Sequence, residues 1–167
     1  MSLYSRRVLL LGALTGLAGC GFEPAFTASG GATKLQNRVR VDDPLDRPAY
    51  LLTREIEDRL GRGAAVGDGG AYGLSYDISI SILAAGITST NEVTRFNLQG
   101  EVAYALRDLD STAVLLSGQV SNFTSYSASG TTVATQAAAR DAEDRLMVIL
   151  ADQIVDRLIA EADSLPA

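Results

Sequence analysis

The chain has 167 residues with 14 basic and 20 acidic side chains, a net charge of −6, one cysteine, and neither histidine nor tryptophan. Without an imidazole the usual general base near neutral pH is missing, and Ser-His-Asp and Cys-His catalysis are excluded. One lysine, Lys34, and no basic run leave no electrostatic footprint for nucleic acid, and a lone thiol forms neither an internal disulfide nor a thiolate metal site.

The N-terminus has the layout of an export signal. Arg6 and Arg7 form a positive region, residues 8–17 are apolar, and small residues lead to Cys20. The apolar run is too short to span a bilayer, which takes about 20 residues. Leu17-Ala18-Gly19-Cys20 resembles the lipobox of bacterial lipoproteins. That resemblance implies cleavage before Cys20, a diacylglyceryl group on its sulfur and acylation of the new amine. The chain then divides into a signal peptide at 1–19, a lipidated tether at 20–34 and a single domain at 35–167. Gly21 stands where an aspartate retains many lipoproteins at the inner membrane, so the resemblance points to the outer membrane. Ser5-Arg6-Arg7-Val8-Leu9-Leu10 fits both a general secretory start and a twin-arginine motif, and both routes stay open.

Residues 35–41 hold a short strand around Val39-Arg40-Val41. Asp46 followed by Pro48 marks a helix start, an acidic cap with an early proline. Ala49, Leu52, Ile56 and Leu60 make one apolar stripe, and Gly61 stands at the C-cap. Residues 61–73 contain six glycines but lack the Lys-Ser/Thr ending of a phosphate loop, and read as a connection. Leu74, Tyr76, Ile78, Ile80 and Ile82 then alternate with Ser75, Asp77, Ser79 and Ser81, a strand with one buried face. Ile78, Ile80 and Ile82 are all expected to face the helices, with Ile80 in the core.

After a turn at 86–91, Phe96, Leu98, Gly100, Val102, Tyr104 and Leu106 repeat the alternation against Arg95, Asn97, Gln99 and Glu101. Asp108-Leu109-Asp110-Ser111 is a turn, and Val114, Leu116, Gly118 and Val120 continue as an antiparallel strand. Phe123 and Tyr126 break that phase near Asn122, through a bulge or the end of the strand. A final helix runs from about 135 to 162, with Ala142, Leu146, Ile149, Leu150, Ile154, Leu158 and Ala162 on one side. Asp141 and Arg145 stand i,i+4 on the other side. The expected fold is α+β, in the order βαβββα, with two helices packed on one face of a mostly antiparallel four-stranded sheet. The opposite face is rich in Ser, Thr, Asn and Gln.

The acids Glu55, Glu57, Asp58, Asp141, Glu143, Asp144, Asp152 and Asp156 fall on solvated helix faces. No paired carboxylates stand in an evident cleft, and the chain is expected to be no enzyme and to carry no cofactor or metal.

Cys20-Gly21-Phe22 with Pro24, Arg95-Phe96-Asn97-Leu98, Tyr104-Ala105-Leu106 before an Asp turn, and Phe123-Thr124-Ser125-Tyr126 together resemble the LptE family of LPS-assembly lipoproteins. Arg140-Asp141-Ala142-Glu143-Asp144-Arg145-Leu146, Ala151-Asp152-Gln153-Ile154 and Arg157-Leu158 extend the resemblance over nearly the whole mature chain. It implies a periplasm-facing, lipid-anchored plug that assists assembly of the LptD outer-membrane β-barrel, contacts lipopolysaccharide and helps insert it into the outer leaflet. A polar sheet face suits a wet barrel lumen. The acidic, nearly lysine-free domain departs from what a phosphate-bearing ligand calls for. Arg95 and Arg107 are the candidate lipopolysaccharide contacts, with Arg38 and Arg40 as further strand-associated cations. Arg95 comes first because it begins a strand beside a turn; its other reading is a strand-end charge or a partner of Glu92. The competing function is a periplasmic lipoprotein accessory to a lipid-transporting ABC system.

Overall fold

The computed structural model describes residues 31–61, 71–128 and 130–165. Cys20, the export signal and most of the glycine-rich stretch lie outside the described residues. The elements are α1 (Gly31–Leu35), β1 (Val39–Val41), α2 (Arg47–Leu60), β2 (Tyr72–Ile87), β3 (Val93–Asp108), β4 (Val114–Ser127) and α3 (Thr132–Glu161), closed by a 3-10 turn (Ala162–Ser164). The sheet has the order β1-β2-β3-β4, with β1 parallel to β2 and the other pairs antiparallel. The α+β arrangement with a four-stranded, mostly antiparallel sheet is therefore present. Beyond the two expected helices there is α1, whose Ala32 and Leu35 are buried, so packing begins inside the segment assigned to the tether.

Local chemistry explains the boundaries. Asp46 Oδ1 accepts the Ala49 N–H at 2.9 Å, the cap its position suggested. Gly61 has φ +79°, a backbone conformation that strains any side-chain-bearing residue, and a Cβ there would also push Asn37 Oδ1 aside from 2.1 Å. Thr131 caps α3 through the Ala134 N–H at 3.3 Å, three residues earlier than the apolar stripe indicates. Asp108 accepts the Asp110 N–H, the Ser111 N–H and the Ser111 hydroxyl at 2.7–3.0 Å, fixing the β3–β4 turn. These bonds hold its carboxyl below the usual aspartate range, the Ser111 N–H first among them.

The core lies between the sheet and α2 and α3. The α2 stripe Ala49, Leu52, Ile56 and Leu60 is buried as expected. On α3, Leu146, Leu150, Ile154 and Leu158 are joined by a second stripe, Met147, Ala151 and Val155, which the sequence reading missed; Ile149 is half-exposed. A helix that touches both the sheet and a neighbouring helix needs two adjacent stripes. Arg47 joins α2 to α3 through Glu143 and Asp144, and Arg59 does so through Asp152 at 2.5 Å.

Two strand expectations need correction. The β3–β4 register runs unbroken from Arg95↔Ser127 to Leu106↔Leu116, so there is no bulge near Asn122. Tyr126 keeps the inward phase and stacks on Phe96 with centroids 5.4 Å apart, while Phe123 alone points outward. The bulge is at Leu115 instead, between the pairs Leu106↔Leu116 and Arg107↔Val114. On β2, Ile80 is half-buried and Ile82 is 57 % exposed. Ile82 has the inward phase, but α2 begins beside Tyr76, whose hydroxyl reaches Thr53 and the Ala49 carbonyl, so the strand outruns its helix. The strand also continues to Ile87, through irregularities around Gly86, and the turn contracts to residues 88–92.

Candidate functional site

The outward face of β2, β3 and β4 is covered by no other element among the described residues. Register sets its rows: Ser75–Ala105–Ser117, Asp77–Ala103–Gln119, Ser79–Glu101–Ser121, Ser81–Gln99–Phe123 and Leu83–Asn97–Ser125. Serine and alanine keep the rows toward the β3–β4 turn low, and longer amides stand toward the β2–β3 turn. There a shallow depression of about 440 Å³ is lined by Leu83, Asn97, Gln99, Ser121, Asn122 and Phe123. Phe123 is 63 % exposed at its rim. A large aromatic standing free on a polar face is the kind of anchor that protein interfaces bury.

The helices offer much less. Their apolar stripes are spent on the core, and many of their charges are paired internally. Arg145 bonds Asp141 at 2.6 Å and reaches the Ser125 carbonyl, while Arg157 donates to the Gln119 carbonyl at 2.8 Å. Two α3 arginines thus cover carbonyls of the edge strand β4, one way of blunting an exposed edge. Of the acids noted in the sequence, Glu55, Asp141, Glu143, Asp144 and Asp152 are held in ion pairs with arginine. Hydrogen bonds from Arg54 and then Arg59 draw the Glu55 carboxyl below its ordinary range.

Arg95 and Arg107 are both exposed on β3, at opposite ends. Twelve residues at about 3.3 Å each put them about 40 Å apart, so they do not converge on one group. Arg95 forms no ion pair among the described residues, with Glu92 or any other acid. It faces Gly86, where a Cβ would come within 3.4 Å of the Arg95 Cβ. Arg38 lies over the Tyr72 ring at 5.6 Å and Arg40 is exposed on β1. Cys20 lies outside the described residues. No helix among them is long and apolar enough to cross a membrane.

Solved structures share this architecture. A candidate lipoprotein of Caulobacter crescentus CB15 is 22% identical, with a TM-score of 0.66 over 80% of this chain and 96% of that one. The uncharacterized lipoprotein B of Nitrosomonas europaea is 16% identical, with a TM-score of 0.58 over 75% and 84%. The rare lipoprotein B of Shewanella oneidensis is 14% identical, with a TM-score of 0.53 over 73% and 92%. At these identities the likeness defines a class, an α+β domain with the fold of these bacterial proteins. No curated protein matches in sequence. The family model for LptE, lipopolysaccharide-assembly, matches residues 36–158, and the chain belongs to that family. Its role is in lipopolysaccharide assembly, as the resemblance implied.

Proposed function

We propose that the domain is a lipid-anchored outer-membrane lipoprotein that plugs the lumen of an LptD-like β-barrel, supports its assembly and helps lipopolysaccharide into the outer leaflet. The observation that carries this reading is the outward sheet face: serine- and amide-lined, uncovered among the described residues, with Phe123 exposed on its edge strand β4 at the rim of the depression. Barrel lumens are polar, and a hydrated surface with one or two aromatic anchors matches such a wall. No reaction is assigned to the domain; it works by occupying space and positioning its partner.

The test places a photo-crosslinking residue at Gln99 or Ser121 in cells. Either position captures a large outer-membrane barrel, and the same probe at Asp144, which faces α2 through Arg47, captures far less. Failure to recover any barrel partner, or capture of an inner-membrane transporter instead, removes the plug reading. Cys20→Ser abolishes labelled-palmitate incorporation if Cys20 is the anchor. Arg95 is the proposed lipopolysaccharide contact, because its guanidinium is exposed and unpaired among the described residues and suits bidentate phosphate binding. A folded Arg95→Asp chain loses lipopolysaccharide affinity; parental affinity removes Arg95 and leaves the plug standing.

A further inference from the structure

Arg47, Arg54, Arg59 and Arg145 pair with carboxylates, Arg157 bonds a carbonyl and Arg38 stacks on Tyr72. The guanidinia of Arg40, Arg95, Arg107 and Arg140 have no partner among the described residues. Two of these four are lateral neighbours. Gly73 of β2 pairs with Arg40 on one side and with Arg107 on the other. Residues paired across a sheet point to the same face, and here it is the outward one, since Val39, Val41, Tyr72, Leu74 and Leu106 point inward. Two strand spacings separate the arginines, about 9.6 Å, and the glycine between them adds no side chain.

Two exposed apolar side chains lie beside the pair. A Cβ on Gly73 would lie 2.9 Å from Leu109 Cδ2, so Leu109 lies over the glycine, and it remains 42 % exposed. Val114, opposite Arg107, is 52 % exposed. The nearest carboxylate on this face is Asp42, the next outward position after Arg40, and it makes no ion pair with Arg40 among the described residues; Asp77 and Glu101 stand further along. Asp108 is occupied by its own turn, and Asp110, Glu161 and Asp163 make no ion pair with either arginine among the described residues. Gly31, the first described residue, also lies at this end. Gly31 is seated against the end of α3, where a Cβ would meet the Ile159 carbonyl oxygen at 2.6 Å. Ten residues lie between it and Cys20, and eleven steps of chain reach at most about 40 Å.

We propose that Arg40 and Arg107, flanked by Leu109 and Val114, dock the phosphodiester headgroup of an anionic phospholipid in the leaflet that holds the anchor. The proposal rests on the Cys20 anchor and is independent of the barrel. Two guanidinia supply charge-assisted bonds to one phosphate. The exposed Leu109 and Val114 favour a headgroup over a free anion, which gains nothing from apolar neighbours.

The test uses the mature chain with Cys20→Ser, so that no acyl group holds it to the bilayer. It binds phosphatidylglycerol vesicles and not phosphatidylcholine vesicles. R40Q and R107Q each weaken that binding about fivefold, and together about thirtyfold, whereas R140Q, an equal loss of charge on α3, changes it less than twofold. Inorganic phosphate competes no better than chloride at equal ionic strength. Circular dichroism confirms that the variants are folded, as exposed positions predict. Full vesicle binding by folded R40Q/R107Q, an equal loss in R140Q, specific competition by phosphate, or binding to lipopolysaccharide aggregates alone overturns the proposal. Barrel capture at Gln99 or Ser121 is unaffected by either result, so the two readings fail separately.

Discussion

The two ends of the β2–β3 ribbon carry the same alternation and have opposite fates. At the root, where β2 starts, Leu74 is fully buried in the row Val41–Leu74–Leu106–Leu116, between β1 and β3 and beneath the helices. Near the tip, Ile82 has the same phase and stays 57 % exposed, because α2 starts beside Tyr76 and α3 lies over β3 and β4, with Leu146 and Leu150 against Gly100. Period 2 tells which face a residue takes; the length and placement of the covering helix tell whether that face is dry. The uncovered tip is thus a surface with the composition of a core.

The sharpest test of this contrast is Leu74→Ala. It removes a fully buried side chain and costs about 2–5 kcal/mol by urea denaturation. Gly118→Ala comes next. Its Cβ would stand 2.6 Å from the Tyr104 hydroxyl oxygen and 2.8 Å from the ring, and a buried aromatic yields little, so about 1–3 kcal/mol is expected. The counterpart near the tip, Gly86→Ala, meets only Thr94 Oγ1 at 3.0 Å and the Arg95 Cβ at 3.4 Å. Its cost is expected below that of Gly118→Ala. Equal losses in the two glycine variants would mean that the tip is packed as tightly as the root.

The start of α2, the faces of β2 and the β3–β4 turn were legible because each is written locally, in Asp46, in the 74–82 alternation and in Asp108. Helix coverage was not, since nothing in Ile80 or Ile82 reports where α2 begins in space. The second α3 stripe, Met147, Ala151 and Val155, is not legible from one apolar face, because α3 touches two layers and needs a second face against α2. The Arg40–Gly73–Arg107 row was invisible for a related reason. Arg107 and Arg40 were both noted as strand cations, but their adjacency depends on β1 lying parallel beside β2, a pairing that brings together residues 67 positions apart in the chain.

Smaller effects probe the covering layer itself. Thr124 is the buried hydroxyl through which β4 holds the early part of α3, donating to the Ala142 carbonyl at 2.9 Å. Thr124→Val keeps the shape, loses that bond and costs about 1 kcal/mol. Glu55→Gln acts on α2 through Arg54 and Arg59. The folded carboxyl titrates below its unfolded value of 4.5, so its contribution is present above that pH and is lost as pH falls through the depressed folded value. Solvent screening keeps it under about 1 kcal/mol. The expected result is a chain slightly less stable than the parent at pH 7 and equal to it in strong acid, read from thermal melts at both pH values.

Ile82→Ser is the smallest change and the one that isolates the tip. More than half of the side chain already meets solvent, so the substitution removes little buried area, and the melting transition is expected to move by no more than about 0.5 kcal/mol. A loss approaching that of Leu74→Ala would mean that Ile82 is covered in solution, and the concentration dependence would name the cover. A penalty that grows with protein concentration indicates a second copy on the tip, whereas a constant one indicates a segment of the same chain. With the small loss expected, Ile82→Ser also separates folding from assembly. A chain that melts like the parent yet is captured less by the barrel shows that the exposed tip is a partner surface rather than an unfinished core.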